Sequence, residues 1–324
     1  MRAYNAASLR RGIDSVEYTG EDAGGVGLRN EFYSVLAASV VGESRTALFE
    51  TRPDSVYEQI RAEALNLERF STLGKFFALC VISGIPSGIP LPTVFFRRLL
   101  DQRVSVDDVR VLDEVWAKSA EYLLKVTTQE ELDVVVAGGP LPGSGSVEPF
   151  TLENCQDQIQ LVIDNIVMNN SPEQFRAIAE GFFFVLPREL FGGISGDFLK
   201  DMIVGTLNVD TEGLIANIKF HTNVPVDHQT WLRNIVGGFD DIQRRQFLRF
   251  VTGFPVLPSA GWAAVGPLLV SAIRRTQADG RVVEPRSQTC FKKLYLPLYI
   301  DEEEMRITFH NVLTHAVDVD MHEH

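Results

Sequence analysis

The amino-acid sequence predicts an α+β protein with a mostly helical first part and a smaller mixed part after it. Apolar residues recur at helical spacing through most of the first 251 residues, for example on one face of the segment 106–126. From Thr252 onward, Gly and Pro separate short segments, and two of these, 268–273 and 289–294, resemble strands. A chain of 324 residues is long enough to form two lobes, each with its own core.

Helices are predicted where apolar residues recur at spacings of three and four, and some starts carry capping signals. Residues 151–154, Thr-Leu-Glu-Asn, resemble a cap at the start of a long periodic segment. The last helix begins with acidic residues at 301–304, which suit the positive end of the helix dipole. The predicted helices are 28–41, 53–67, 71–83, 92–100, 106–126, 151–167, 172–185, 195–204, 211–218, 227–237, 239–251 and 301–316.

Strands and breaks are also predicted in the first part of the chain. Residues 12–20 alternate apolar and polar side chains, and residues 132–137 form a short apolar run, so each predicts a strand. Residues 138–149 are rich in Gly, Pro and Ser, which predicts a flexible loop. Residues 205–209, Gly-Thr-Leu-Asn-Val, interrupt the helical pattern and are therefore the candidate hinge between the two lobes.

The composition argues against several classes of protein. A formal net charge of −13 argues against general nucleic-acid binding, which needs clustered Lys and Arg. The most apolar stretch, residues 73–96, is interrupted by Lys75 and by several Gly and Pro residues. It lacks the roughly 20 uninterrupted apolar residues of a membrane span, so no span is expected. The start of the chain also lacks the pattern of a signal peptide.

Three cysteines, Cys80, Cys155 and Cys290, lie far apart in the sequence. An odd number without Cys-x-x-Cys spacing predicts neither a disulfide framework nor a metal site. The expected compartment is a reducing one, the cytoplasm, with the nucleus as an alternative. Cys80 lies in an apolar run and is expected in the core, and a structural role is also expected for Cys155.

Cys290 differs from the other two because it lies in a short polar turn just before an apolar run. Four basic residues lie close to it in sequence: Arg281, Arg286, Lys292 and Lys293. Nearby positive charge lowers the pKa of a thiol and raises the fraction of thiolate, which is the nucleophilic form. Cys290 is therefore a candidate nucleophile, with an ordinary buried thiol as the alternative.

The segment around this cysteine resembles the active-site segment of HECT-type ubiquitin ligases, which reads roughly Leu-Pro-x-x-His-Thr-Cys-Phe-x-x-Leu-x-Leu-Pro-x-Tyr. Residues 284–300 read Glu-Pro-Arg-Ser-Gln-Thr-Cys-Phe-Lys-Lys-Leu-Tyr-Leu-Pro-Leu-Tyr-Ile. Further blocks similar to the family occur in the family's order, so the resemblance covers nearly the whole chain. These blocks are 18–33, 70–100, 173–182 and 244–262.

The resemblance implies a two-lobe fold and a transferase. Residues 1–204 would form a mostly helical N-lobe that docks a ubiquitin-conjugating enzyme, and residues 210–324 a smaller α/β C-lobe that carries Cys290. The hinge at 205–209 would let the C-lobe swing between the step in which the thiol accepts ubiquitin and the step in which the lysine attacks. The implied activity transfers ubiquitin from the conjugating enzyme to Cys290 as a thioester, and then to a substrate lysine. The implied partners are ubiquitin, the conjugating enzyme and the protein substrate, and no cofactor is implied.

The resemblance also assigns roles to residues near the cysteine. Thr289 is a candidate hydrogen-bond donor to the sulfur or the oxyanion, with shaping of the turn as the alternative. Gln288 stands where the family usually has His, and Gln does not titrate near neutral pH. Met321 stands where many members have a Phe that helps to place the lysine.

In the N-lobe, the resemblance suggests that Leu123, Leu124 and Val162 line the groove for the conjugating enzyme, with interior packing as the alternative. Gln158 and Val162 stand where many members have aromatic residues. Two other functions remain open from the sequence. One is a catalytically silent HECT-like module that binds ubiquitin or a conjugating enzyme. The other is a thiol hydrolase, which is disfavoured because no Cys/His/Asn arrangement is evident.

Overall fold

The structure is a computed structural model that describes residues 6–12, 26–42, 46–51, 55–137, 139–276 and 281–322. The strand predicted for residues 12–20 lies outside the described residues, apart from its first residue. Helices dominate the described part of the chain, and its strands form two small sheets. The predicted α+β fold class is therefore confirmed.

Fifteen α-helices and six strands make up the regular structure of the described residues. The helices are α1 (Ala6–Leu9), α2 (Val26–Ala38), α3 (Leu67–Ser83), α4 (Thr93–Leu99), α5 (Val106–Val109), α6 (Glu114–Leu123), α7 (Gln129–Val136), α8 (Cys155–Val167), α9 (Pro172–Val185), α10 (Gly196–Ile203), α11 (Thr211–Asn217), α12 (Val226–Gly237), α13 (Asp241–Thr252), α14 (Trp262–Val265) and α15 (Glu302–His322). The strands are β1 (Phe49–Thr51), β2 (Glu58–Ile60), β3 (Ile218–Phe220), β4 (Leu268–Ile273), β5 (Arg286–Gln288) and β6 (Lys293–Pro297). Short 3-10 helices occupy Arg188–Phe191 and Thr289–Phe291.

By their internal contacts, the described residues form two compact units. The first unit lies within Met1–Arg10, Ala38–Ile82 and Ile89–Ile203. The second unit lies within Arg11–Ala37, Ser83–Gly88 and Val204–His324. The predicted lobe boundaries and the hinge at 205–209 stay predictions.

The first unit is held together by apolar side chains between helices. One of its clusters joins α4–α8, where helix faces and the loops between them bury side chains from Val94 to Val167. A second contact is the close approach of α3 and α9, at which glycines lie on both helices. A Cβ on Gly74 would overlap the carbonyl oxygen of Ile178 and lie 2.7 Å from the nitrogen of Phe182. A Cβ on Gly181 would likewise overlap the carbonyl oxygen of Ser71.

The second unit is built around a four-stranded sheet with the strand order β3-β4-β6-β5. The pairs β3–β4 and β4–β6 are parallel, and β5 runs antiparallel to β6 at the edge. Helix α15 packs on this unit through Met305, Phe309 and Leu313, which recur every four residues and are at most 2% exposed. Further side chains in the same core come from α11–α13 and from β4 and β6.

Several predicted elements are confirmed with little change in their bounds. Helices predicted at 172–185 and 195–204 are observed as α9 and α10, and the strand predicted at 268–273 is β4. The helix predicted from 151 instead begins at Cys155. The side chains of Thr151 and Asn154 bond each other's backbone N–H groups, at 3.2 and 2.8 Å, and so form a turn before the helix.

The strand predicted at 132–137 is wrong, because this segment belongs to helix α7. The Thr128 hydroxyl accepts a hydrogen bond from the backbone N–H of Glu131, which caps the helix start. Only Leu132 is buried in this helix, whereas Val134 is 85% exposed. The apolar run therefore reflects exposed valines on a short helix rather than a buried strand.

Two predicted helices are also wrong in their extent. Residues 58–60 of the helix predicted at 53–67 form strand β2, which pairs with β1 and buries Ile60. The region 106–126 divides into α5 and α6, because Ser105 and Asp113 each cap a separate helix start.

We expect Gly74→Ala to lower the free energy of unfolding by about 3 kcal/mol, because the added methyl group would force α3 and α9 apart. Urea titration followed by circular dichroism measures this change. Gly192→Ala is the matched control, since its Cβ would lie 3.9 Å from the nearest atom and its φ of −59° suits alanine. Unfolding of the two variants at the same urea concentration would contradict the close packing of α3 and α9.

A second prediction concerns Glu304, whose carboxylate accepts hydrogen bonds from Arg275 at 2.6 Å and from the Ile300 N–H at 2.7 Å. The bond from Arg275 lowers the pKa of Glu304. A carboxyl group with a lowered pKa stabilises the fold above its unfolded pKa of about 4.3, and this contribution is lost as pH falls through the folded pKa. Glu304→Gln should therefore be less stable than the wild type at pH 7, and the difference should shrink below about pH 4.

Thermal unfolding between pH 3 and 7 measures this difference. Glu303→Gln is the control in the same helix turn, because that side chain is 70% exposed. A difference between Glu304→Gln and the wild type that does not change with pH would contradict the assignment.

Candidate active site

Cys290 lies in the connection between the antiparallel strands β5 and β6. Gln288 and Lys293 are the last pair in register, so the residues between them close the hairpin. Thr289–Phe291 forms one turn of 3-10 helix, and Lys292 then has left-handed backbone angles, φ 49° and ψ 44°. The predicted strand at 289–294 is therefore wrong for its first part, because a left-handed residue cannot continue a strand.

Backbone hydrogen bonds fix the end of this turn to the sheet. The N–H of Lys292 donates to the carbonyl oxygen of Thr289 at 3.1 Å, which closes the turn. The carbonyl oxygen of Lys292 accepts from the N–H of Leu269 at 2.8 Å, at the start of the neighbouring strand β4. The backbone of Cys290 therefore lies in a tight turn between β5 and β6, at the edge of the sheet. Its side chain lies outside the described part of the structure.

The basic residues near Cys290 have partners that the sequence does not reveal. The Lys292 ammonium donates to the carbonyl oxygen of Val265, and the Lys293 ammonium lies 4.8 Å from the ring centroid of Tyr295. The side chains of Arg281 and Arg286 are exposed. The charges of Lys292 and Lys293 are therefore engaged by other groups of the second unit.

Thr289 and Gln288 precede the cysteine in different surroundings. Thr289 is half-buried beside the end of α13, where its Cβ is 3.8 Å from the position that a Cβ on Gly253 would occupy. Gln288 is exposed, and its side-chain oxygen accepts a hydrogen bond from the Tyr295 hydroxyl at 3.1 Å. Thr289 therefore packs at the base of the turn, and its role as a hydrogen-bond donor stays a prediction.

Two residues beside the turn were not singled out by the sequence. Tyr295 holds Gln288 across the hairpin. Gly253 ends α13 with a φ of 86° and lies against Thr289. A Gly directly after a helical segment is a known signal for a helix end, so Gly253 could have been identified from the sequence. The hydrogen bond from Tyr295 to Gln288 depends on the strand register, so it could not have been identified from the sequence.

The other two cysteines are buried, which confirms the core position predicted for Cys80 and agrees with the structural role predicted for Cys155. Cys80 is fully buried in α3, and Cys155 is 7% exposed at the start of α8. Burial raises the pKa of both thiols, because it disfavours the charged thiolate. Neither thiol is therefore suited to act as a nucleophile at neutral pH.

The residues predicted to line a partner groove are placed differently from one another. Leu123 and Val162 are 5% and 3% exposed and belong to the core of the first unit. Gln158 is also buried, where its side-chain oxygen accepts from the Leu141 N–H at 2.8 Å. By contrast, Leu124 is 45% exposed. Of these four, only Leu124 offers a partner substantial side-chain surface.

In the part of the chain that the structure describes, no group of His, Cys, Asp and Glu side chains is arranged to hold a metal ion. Within the same residues, none of the helices has both the length and the apolar character needed to cross a membrane.

A model of the HECT-domain (ubiquitin-transferase) family matches residues 34–318. The chain belongs to the HECT family. The match includes the Cys290 turn and most of both compact units. The family resemblance predicted from the sequence is therefore confirmed.

Longer proteins that are similar to this chain are E3 ubiquitin-protein ligases. UPL1 of Arabidopsis thaliana is 26% identical over 344 residues, which cover 94% of this chain and 9% of the relative. HUWE1 of Mus musculus is 27% identical over 314 residues, covering 89% of this chain and 7% of the relative. HACE1 of Xenopus tropicalis is 25% identical over 323 residues, which cover 93% of this chain and 35% of the relative. The chain thus spans about a third or less of the length of each of these relatives.

We expect Leu123→Ala to lower the free energy of unfolding by about 3 kcal/mol, because it leaves a cavity in the core of the first unit. Leu124→Ala, one residue further along, should change it by less than about 0.5 kcal/mol. Urea unfolding of the two variants measures both values. Equal losses of stability would contradict the different placement of the two leucines.

Proposed function

We propose that this chain is a catalytic domain that accepts ubiquitin from a conjugating enzyme as a thioester on Cys290 and passes it to a lysine of a protein substrate. The observation that carries this proposal is the family match over 34–318, within which Cys290 lies on a tight hairpin turn. The two remaining cysteines are buried, which favours Cys290 as the nucleophile.

The first step is an exchange of thioesters. The thiolate of Cys290 attacks the carbonyl carbon of the thioester between the ubiquitin C-terminus and the cysteine of the conjugating enzyme. A tetrahedral oxyanion forms, the bond to the conjugating enzyme's sulfur breaks, and that sulfur leaves as a thiolate. Donors near the oxyanion lower the barrier, and the Thr289 hydroxyl is the side chain that we assign to this role.

In the second step, the amine of a substrate lysine attacks the new thioester. The nitrogen forms an amide bond with the ubiquitin C-terminus, loses a proton, and releases Cys290 as a thiolate. A thioester is already activated, so this chemistry needs neither a metal nor a nucleotide in this domain. Gln288 stands at the family's His position, and its amide can donate and accept hydrogen bonds but cannot act as the proton carrier.

The two partners would dock on different parts of the chain. We assign the binding site of the conjugating enzyme to the N-lobe, where Leu124 is an exposed contact. The ubiquitin that is transferred is carried by Cys290 on the C-lobe. We also propose that the hinge at 205–209 lets the C-lobe move relative to the N-lobe during transfer. Which protein supplies the lysine would depend on regions of a longer protein, since the chain spans 9% or less of two of its relatives.

A catalytically silent module that only binds ubiquitin or a conjugating enzyme is the second candidate function. It is favoured by Gln288, because an amide replaces a group that titrates near neutral pH. Binding without any covalent adduct would support this alternative.

The thioester proposal predicts an adduct of ubiquitin and this chain that is destroyed by reducing agent. The chain is incubated with activating enzyme, ATP, ubiquitin and a panel of conjugating enzymes, and is then analysed on a non-reducing gel. Cys290→Ala should abolish the adduct. Cys290→Ser should give an adduct that resists reducing agent, because serine would form an oxygen ester.

Cys155→Ala is the matched control, since that thiol is buried and should not carry ubiquitin. No adduct with any conjugating enzyme in the panel would favour the silent module. An adduct that persists in Cys290→Ala would refute the assignment of the nucleophile.

A further inference from the structure

Lys292 has an unusual backbone conformation for its residue type. Its φ of 49° and ψ of 44° lie in the left-handed region, which Gly and Asn adopt far more readily than Lys. This conformation ends the 3-10 turn of Thr289–Phe291 and turns the chain into β6. The path of the loop that carries Cys290 therefore depends on a conformation that lysine does not favour.

Three hydrogen bonds of Lys292 hold this conformation in place. Its N–H bonds to the Thr289 carbonyl at 3.1 Å, and its carbonyl accepts from the Leu269 N–H at 2.8 Å. Its ammonium donates to the carbonyl oxygen of Val265. The first bond closes the cysteine turn, the second connects the turn to the start of β4, and the third connects it to the end of α14.

The third bond is made by the side chain, and only a long side chain that ends in a hydrogen-bond donor can make it. Val265 is the last residue of α14, and the final carbonyl groups of a helix have no partner within the helix. A lysine ammonium is a favourable partner for such a carbonyl. Val265 is only 7% exposed and Lys292 is half-buried, so the bond is partly shielded from water. Lys292 thereby caps α14 and braces the cysteine turn at the same time.

We propose that Lys292 is a positioning residue for Cys290, whose ammonium fixes the cysteine turn against the end of α14. This inference rests on the proposed thioester function. It differs from the expectation that the basic residues act on Cys290 through their charge. The Lys292 ammonium is bound to a backbone carbonyl, and its effect on the reaction is to set where the turn lies.

Lys293 provides a comparison within the same turn. It is the next residue, and its ammonium lies over the ring of Tyr295 instead of binding a backbone carbonyl. Lys293 has an ordinary strand conformation, and its backbone is in register with Leu269 of β4 and Gln288 of β5. Removing either lysine removes one positive charge close to Cys290 in sequence, but only one of the two changes removes the bond to Val265.

The test compares Lys292→Gly, Lys292→Arg and Lys293→Ala in the whole chain. Glycine accepts the left-handed conformation but lacks the ammonium, whereas arginine keeps a long cationic donor. We expect Lys292→Gly to slow ubiquitin transfer to Cys290 by about tenfold or more, since small misplacements of a reacting group have effects of this size. Lys292→Arg should restore most of the rate, and Lys293→Ala should change it by less than about threefold.

Two further measurements separate position from charge. The pH dependence of Cys290 alkylation by iodoacetamide should keep its midpoint in Lys292→Gly. Hydrogen exchange of the peptide that covers residues 286–297 should become several-fold faster in Lys292→Gly but not in Lys293→Ala. Circular dichroism confirms that each variant is folded.

Several results would overturn the proposal. A midpoint shifted upward equally in Lys292→Gly and Lys293→Ala would show that charge, not position, is the role of Lys292. Unchanged exchange in Lys292→Gly would show that the side chain does not hold the turn. If the wild-type chain accepts no ubiquitin, the proposed function fails and this inference fails with it. If the wild type accepts ubiquitin and Lys292→Gly is equally fast, only this inference fails.

Discussion

The pairing of β6 with both of its neighbours is the constraint on which the cysteine site depends. The parallel register Leu269↔Lys293 and the antiparallel register Gln288↔Lys293 meet at one residue, so the loop before it has little freedom. A slip of β6 by one residue against β4 would turn Leu294 and Leu296 out of the core, where both are now at most 1% exposed. The core of the second unit therefore determines where the backbone of Cys290 lies.

The two compact units serve the proposed chemistry in different ways. The first unit is built from helices packed closely enough that Gly74 and Gly181 cannot carry side chains. In the proposed function, this unit would provide the surface on which the conjugating enzyme docks. The second unit combines a small sheet with helices α11–α13 and α15, and carries the cysteine on a hairpin at the sheet edge. In the proposed transfer, the ubiquitin tail would approach the cysteine on this turn, and the sheet would hold the backbone of the turn in place.

Much of the fold could be predicted because local patterns and tertiary packing agree. Helix α9 and strand β4 were predicted with their observed bounds, since their apolar residues face the cores that bury them. The valines at 134–136 wrongly indicated a strand because they favour strands, whereas the Thr128 cap and the buried Leu132 favour a helix. The surrounding motif predicts Cys290 as the nucleophile, and that role stays a prediction. The bond between Lys292 and Val265 could not be predicted, because its partners lie 27 residues apart and meet only through strand pairing.

The most direct test of the account asks which sulfur reacts with ubiquitin. Ubiquitin with an electrophile at its C-terminus is incubated with the wild-type chain, and the modified residue is identified by peptide mass spectrometry. The account predicts a single adduct, on Cys290, with Cys80 and Cys155 unmodified because both are buried. Modification of Cys80 or Cys155 in the folded chain, with Cys290 unreacted, would contradict it.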